Sequence, residues 1–232
     1  MIDFHSHVLP GIDDGSDSVD TSLGMLDMWR AQKIDCICAT PHFYAEHNTP
    51  RRFIRNRNGA YEELLMAARN EKGYPKILLG AEVRFFDGIS NVSTLDSLCL
   101  EGTNLLLLEM PFTRWTDRML REVGEIRRRG IIPVAAHLER YLDFNSKSMI
   151  KHFMDLDILI QCNAGFFLNK RTSRKALSML KDRRIHFIGS DAHNLSSRAP
   201  NMGDALQLIL HKLGAGSIEY LLRMEELIDV DY

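Results

Sequence analysis

Met1-Ile2-Asp3-Phe4-His5-Ser6-His7-Val8-Leu9-Pro10-Gly11-Ile12-Asp13-Asp14-Gly15 decides how the rest of the chain is read. A short apolar run leads into His-x-His, and Asp14 follows His7 by seven residues on a glycine-flanked loop. A parallel barrel delivers metal ligands in this way, from the C-terminal ends of its strands. In an extended strand residues i and i+2 point to the same side, so His5 and His7 can aim both imidazoles at one ion. A helix would splay them by about 200°.

Six more apolar runs, read outward from this one, end in the same kind of residue. Residues 34–40 stop at Pro41 and His42, 76–81 at Glu82, and 104–108 at Glu109. Residues 131–136 lead to His137, 158–162 to Asn163-Ala164-Gly165, and 186–189 to Ser190-Asp191-Ala192-His193. Between them lie helical patterns. Leu23, Met25, Leu26, Trp29 and Ala31 form a stripe ending near Gln32, and residues 50–71 read as a long helix closed by Gly73. Helices are also expected at 117–129, 174–181, 202–213 and 217–227; Arg127-Arg128-Arg129 complements a helix C-terminus. Alternation of strand and helix predicts an α/β chain in which seven parallel strands form a barrel wrapped by helices. No repeat or low-complexity linker divides it, so residues 1–232 read as one domain.

Composition narrows the partners. Charged residues make up 26% and the formal net charge is −2, so there is no basic field for nucleic acid. Cys36, Cys38, Cys99 and Cys162 lack paired Cys-x-x-Cys spacing and read as reduced, buried thiols, which fits a cytoplasmic protein. No apolar stretch approaches 18 residues and no secretion signal is read at Met1, so direct membrane insertion is not expected.

His5, His7, His42, Glu82, Glu109, His137, Asp191 and His193 all fall at or just after a strand's last residue, and Asp14 makes nine. Burying an unpaired imidazole or carboxylate costs several kcal/mol, so repeated placement there needs a compensating charge, which divalent metal supplies. One ion takes four to six ligands. Two or three ions are therefore implied.

The motifs DFHSHVLPGIDDG at 3–15, ATPH at 39–42, GAEV at 80–83, LEMP at 108–111, AHLERY at 136–141 and SDAHN at 190–194 resemble those of the PHP family, named for polymerase and histidinol phosphatase domains. Within it the chain is most similar to the manganese-dependent protein-tyrosine phosphatases of the CpsB/CapC type, which regulate capsular and extracellular polysaccharide production in bacteria. The resemblance covers nearly the whole chain. It implies a distorted seven-stranded, TIM-like (βα)7 barrel, the PHP fold, with a site for three divalent ions, Mn2+ first among them and Fe, Mg or Zn also compatible. It implies a first ion on His5, His7, Glu82 and Asp191, and a second on Asp14, His42 and His193. Glu82 would bridge to a third, completed by Glu109 and His137. Arg140 and Arg198 are implied as phosphate holders, and a phosphotyrosine protein, a membrane-associated bacterial tyrosine kinase, as partner. Two departures fall on the substrate mouth: Ala164-Gly165-Phe166-Phe167 replaces a loop of glycine and small residues, and Ala-Pro-Asn-Met follows Arg198 where Pro-Pro is common.

Chemistry follows from such a set. A hydroxide bridging two ions, its pKa lowered from about 15.7 toward roughly 7, can attack phosphorus in line, and the two arginines add forked donors for the phosphoryl oxygens. No protein nucleophile is needed, and no side-chain general acid stands out. Ten of the nineteen aromatic residues follow strand ends: Phe43, Tyr44, Phe85, Phe86, Phe112, Trp115, Tyr141, Phe144, Phe166 and Phe167. Such a collar could receive a phosphorylated aromatic ring.

Other readings are weaker. A cysteine-based phosphatase needs an arginine six residues after its nucleophile, but those positions hold His42, Tyr44, Leu105 and Leu168. An amidohydrolase-like barrel places a bridging lysine at a strand end and needs fewer acidic ligands. A non-catalytic PHP module would have lost ligands, whereas all nine are present. Histidinol phosphate hydrolysis is the runner-up within the family.

Overall fold

A computed structural model of the chain describes residues 1–228. Strands and helices follow as β1 (Ile2–Ser6), α1 (Val19–Ala31), β2 (Cys36–Ala39), β3 (His42–Phe43), α2 (Pro50–Ala68), β4 (Lys76–Leu79), β5 (Glu82–Arg84), β6 (Leu105–Glu109), α3 (Asp117–Arg128) and β7 (Ile132–Ala135). The chain continues with α4 (Lys147–Met154), β8 (Leu159–Asn163), α5 (Ala164–Leu168), α6 (Ser173–Lys181), β9 (Phe187–Gly189), α7 (Met202–Leu213) and α8 (Ala215–Glu225). Hydroxyl caps start several helices where the sequence supplies them: Ser18, Thr49, Thr116 and Ser146 each accept the N–H three residues on.

The strands pair in parallel, in the orders β1-β2-β4 and β3-β5-β6-β7-β8-β9. Beyond β9 the chain returns to β1, where Asp191 N–H donates to His5 O at 2.8 Å and His7 N–H to Ala192 O at 2.9 Å. The sheet therefore curls, with helices packed on its outer face.

Nine strands are formed among the described residues where seven runs are read in the sequence, because two of the runs break. The runs at 34–40 and 76–81 form β2 and β4, but each is followed after a two-residue break by a second short strand. Pro41 has no N–H to add to the ladder, and Glu82 N–H turns to the Thr40 and Pro41 carbonyls at 3.3 and 3.0 Å. The Gly80 carbonyl accepts instead from Arg57 Nη1 of α2 at 2.9 Å. The strands resume as β3 and β5 with His42 directly opposite Glu82. Helices α4 and α5 were also not expected, and α2 ends at Ala68, short of residue 71.

Two cores use opposite faces of the sheet. Ile2 and Phe4, Cys36 and Cys38, Leu105 and Leu107, Val134 and Ala136, with Leu78 and Phe187, form a smaller cluster on the concave side, where Phe4 stacks on Phe187 at 4.1 Å. Intervening residues such as Ile37, Leu106 and Ala135 join a larger cluster with Trp29, Leu64, Leu120 and Phe153 of the helices. The strand period of two makes this division. All four cysteines are buried free thiols.

Strict alternation would put His5 and His7 on the same face as Asp3, whose carboxylate accepts from Trp29 Nε1 of α1 at 2.7 Å. A bulge prevents this. Asp3 pairs with Ile37 and Ser6 with Ala39, so β1 holds one residue more than β2 over the interval and its facing inverts. The inverted histidines pack against glycines. A side-chain carbon on Gly189 would come within 2.5 Å of His5 Cβ and 2.8 Å of His5 N, and one on Gly15 within 2.4 Å of His7 Cβ. Gly189→Ala should therefore cost about 2 kcal/mol or more in stability by denaturant unfolding. Wild-type stability in that variant would show that β1 has room to move.

Candidate metal centre

The ends of β1, β6 and β7, the starts of β3 and β5, and the segment after β9 converge on Glu82. Its Oε2 lies 3.2 Å from His5 Nε2, 3.3 Å from His7 Nε2 and 3.0 Å from His42 Nδ1, and its Oε1 lies 2.8 Å from His137 Nε2. Burial opposes its charge, but the charge of His5 and then hydrogen bonds from His137, His42 and His5 overcome this and hold the carboxyl well below the usual range.

The other candidates gather around this hub. Asp191 Oδ1 is 3.5 Å from His7 Nε2, 3.7 Å from His5 Nε2 and 3.6 Å from His193 Nδ1. Asp14 Oδ1 is 3.4 Å from His42 Nε2 and 3.5 Å from His193 Nε2, while Glu109 Oε1 is 3.6 Å from His137 Nε2. All nine sequence-derived positions thus lie in one cluster. Three groups have metal-ligating atoms within 4.8 Å of one another: His7, Asp14, His42 and His193; His5, His7 and Glu82; and His42, Glu82 and Glu109. Against the sets expected from sequence, the first lacks Asp191, the second gains His7, and the third has His42 in place of His137.

The donor set fits divalent metal on its own chemistry. Nε2 of His193 is buried without a hydrogen-bond partner among the described residues. Burial and then His7 push the His193 imidazole down to about 4, and because Nδ1 donates to the Asp191 carbonyl at 2.9 Å the lone pair on Nε2 is free at neutral pH. His5 Nε2 and His7 Nε2 approach to 3.1 Å, a contact between two acceptors unless a proton or cation lies between them.

Arg140 and Arg198 both reach this cluster, at Asp191. Arg140 Nη2 donates to Asp191 Oδ2, and Arg198 Nη2 to Asp191 Oδ1 at 2.8 Å, with Arg198 Nη1 3.8 Å from Asp14 Oδ2. Backbone geometry at the site is costly. His137 (φ 32°) and Asp191 (φ 54°) both occupy the left-handed region, which disfavours residues with a side chain by about 1–2 kcal/mol.

Several residues that orient the histidines escaped the sequence reading. Asp13 Oδ2 accepts from His7 Nδ1 at 2.7 Å and from His42 N–H at 3.0 Å, turning His7 Nε2 toward Glu82. The signal was available: Asp13 Oδ1 also accepts Gly15 N–H at 2.9 Å, the Asx turn that an Asp-x-Gly sequence favours. Gln161 Oε1 accepts from His137 N–H at 2.7 Å and lies 3.3 Å from His5 Nδ1, and its amide donates to Asn163 Oδ1 at 2.9 Å. Asn163 Nδ2 donates to Asp191 Oδ2 at 3.0 Å. Both are polar residues in an apolar strand run, which is the mark that could have found them.

Of the ten aromatics in the expected collar, Phe43, Phe85, Trp115, Tyr141, Phe166 and Phe167 are buried packing residues. Tyr44 and Phe112 do border the cluster. The Tyr44 ring stacks 5.1 Å from that of His42, and Phe112 stacks 5.7 Å from His137, with exposed Phe144 at 6.3 Å from Phe112.

Among known proteins, the tyrosine-protein phosphatase CpsB of Streptococcus agalactiae serotype III (strain NEM316) is 27% identical over 226 residues, covering 92% of this chain and 91% of the relative. A chain from the crystal structures of YwqE from Bacillus subtilis and CpsB from Streptococcus pneumoniae, described as unique metal-dependent tyrosine phosphatases, superposes with a TM-score of 0.85. It is 26% identical and the match covers 98% of this chain and 94% of that one. Histidinol phosphate phosphatase from Lactococcus lactis, complexed with zinc, L-histidinol and phosphate, shares the fold at a TM-score of 0.54 and 12% identity, over 92% of this chain and 93% of that one. The family described as capsular polysaccharide synthesis, CpsB/CapC, matches residues 1–226, and the chain belongs to it.

Proposed function

We propose that this chain is a cytoplasmic, metal-dependent phosphatase of tyrosine-phosphorylated proteins that acts in capsular or extracellular polysaccharide synthesis. The observation that carries the reading is Glu82, a buried carboxylate surrounded by four imidazoles in a chain that aligns nearly end to end with metal-dependent tyrosine phosphatases. No helix among the described residues is long and apolar enough to cross a membrane. Counting β2 with β3 and β4 with β5 as single broken strands gives the distorted seven-stranded barrel of the PHP fold.

In this reading His5, His7, Glu82 and Asp191 hold one ion, and Asp14, His42 and His193 a second. Glu109, His137 and the shared Glu82 hold a third. Mixed imidazole and carboxylate donors suit Mn2+. When bound, the ions would offset charge on the phosphoryl oxygens and make water nucleophilic at neutral pH. The chain's own residues do the rest. Asp13 and Gln161 fix the ring orientations of His7 and His5. Arg140 and Arg198, anchored on Asp191 and each more than a third exposed, keep further N–H groups for phosphate oxygens. Tyr44 and Phe112 offer rings beside which the aryl group of phosphotyrosine would lie. The substrate is a phosphotyrosine protein, with a membrane-associated tyrosine kinase as its candidate.

Protein reconstituted with Mn2+ should hydrolyse a phosphotyrosine peptide in preference to histidinol phosphate or a nucleotide, and lose turnover on exhaustive chelation. Preference for histidinol phosphate would replace the substrate assignment, and full turnover with metal absence verified would remove the metal. Because Glu82 is shared, Glu82→Ala should lower bound metal further than Asp14→Ala, as read by elemental analysis; equal loss would contradict sharing. Arg140→Ala or Arg198→Ala should reduce kcat/KM by roughly 10- to 150-fold, equivalent to about 1.5–3 kcal/mol for a charge-assisted contact, with metal content unchanged. Lys at either position should restore part of the rate. A fall in metal content instead would show that the arginines serve only Asp191.

A further inference from the structure

Away from the metal cluster, a cleft of about 810 Å³ opens between α4 and α6. Its floor is apolar, formed by Ile150, Met154, Ile158 and Met179, and its rim is cationic, with exposed Lys147, Lys175, Arg183 and Arg184. The two carboxylates in the lining are already engaged. Asp155 pairs with Lys151 at 2.5 Å, and Asp157 with Arg127, outside the cleft, at 2.8 Å. Lys147, Lys175, Arg183 and Arg184 have no carboxylate partner among the described residues, although the whole chain carries a net charge of −2.

The cleft also has a direction. Lys147 and Lys175 lie in the first turns of α4 and α6, helices that start from the C-terminal side of the sheet, where the metal cluster lies. Arg183 and Arg184 lie just before β9, at the opposite end. The near end is separated from the candidate centre by one buried ring, that of Tyr141. Leu142 and Asn145 line that end, Asn145 Nδ2 donates to the Tyr141 carbonyl at 3.3 Å, and the Tyr141 ring lies 5.5 Å from that of His137. The eight residues of α4 rise about 12 Å, a span that about four residues of extended chain would cover.

Resting on the phosphatase reading, we propose that this cleft is a substrate groove for an acidic segment adjoining the phosphotyrosine. Acidic side chains would meet Lys147, Lys175 and Arg184, Arg183 lying over the Tyr220 ring, while apolar ones settle on Ile150, Met154 and Met179. The charge of the rim selects an anionic chain, and the placement of its near end on the metal-cluster side of the sheet selects one tethered to the scissile phosphate.

The test uses full-length Mn2+-loaded protein and phosphotyrosine peptides of one core sequence, flanked on either side by acidic, neutral or basic residues, with phenyl phosphate as a substrate too small to reach the cleft. The acidic-flank peptide should show kcat/KM roughly tenfold above the neutral one, mainly through KM and diminishing with salt, as expected for a few exposed ion pairs. Charge reversal by Lys147→Glu, Lys175→Glu and Arg184→Glu together should abolish that preference and leave phenyl phosphate turnover unchanged. Equal use of acidic and neutral peptides by the wild type, or a preference that survives charge reversal, would overturn the groove. Anisotropy binding of the unphosphorylated acidic peptide decides the matter independently of turnover: binding weakened by the charge reversal supports the groove even if no phosphoester is cleaved. Binding unaffected by the variant, or a dimer in sedimentation that the variant dissolves, counts against it.

Discussion

One buried carboxylate sets the constraint that the rest of this molecule serves. Glu82 could not stay charged and buried without the four imidazoles around it, and those imidazoles could not be brought together without a reason to face one another. They arrive from three pieces of backbone: His5 in β1 and His7 just beyond it, His42 from β3 and His137 two residues beyond β7. The broken strands put His42 and Glu82 abreast, the β1 bulge turns two histidines away from the helices, and Gly189 and Gly15 give them space. Buried charge and close packing of this kind collect at one end of the sheet while the strands behind it are ordinary apolar packing. A metal cluster shared through Glu82 gives that distribution a common cause.

Charge is layered outward from this point. Carboxylates and imidazoles form the interior, Arg140 and Arg198 close over Asp191 at its edge, and the cationic cleft between α4 and α6 lies beyond. A phosphate monoanion or dianion approaching the edge therefore meets guanidinium groups before it meets the acidic interior. In the proposed reading, phosphate contacts and metal contacts would fall on different residues, with Asp191 touching both arginines.

Much of this was legible in the sequence because strand ends are local features. An apolar run followed by His, Glu or Asp can be read wherever it occurs, and the eight positions chosen in that way meet in space, joined by Asp14 from the first loop. What could not be read depends on pairing between distant segments. Nothing near Asp3 announces the extra residue in β1, since a bulge is defined only against β2. Pro41 marked an end to β2 but not the restart at His42, because β3 exists only through its pairing with β5. Asp13 was passed over beside Asp14 since the two differ in what they touch and not in type. Most of the aromatic collar proved to be packing, as proximity to a strand end says nothing about which way a ring points.

Glu82 shared between ions is the claim on which the account rests, and anomalous X-ray diffraction from crystals grown with Mn2+ tests it most directly. The account predicts at least two anomalous peaks, two of them within about 2.5 Å of Glu82 carboxylate oxygens and bordered by His5, His7, His42 or His137. A single peak, or several of which none approaches Glu82, would contradict it.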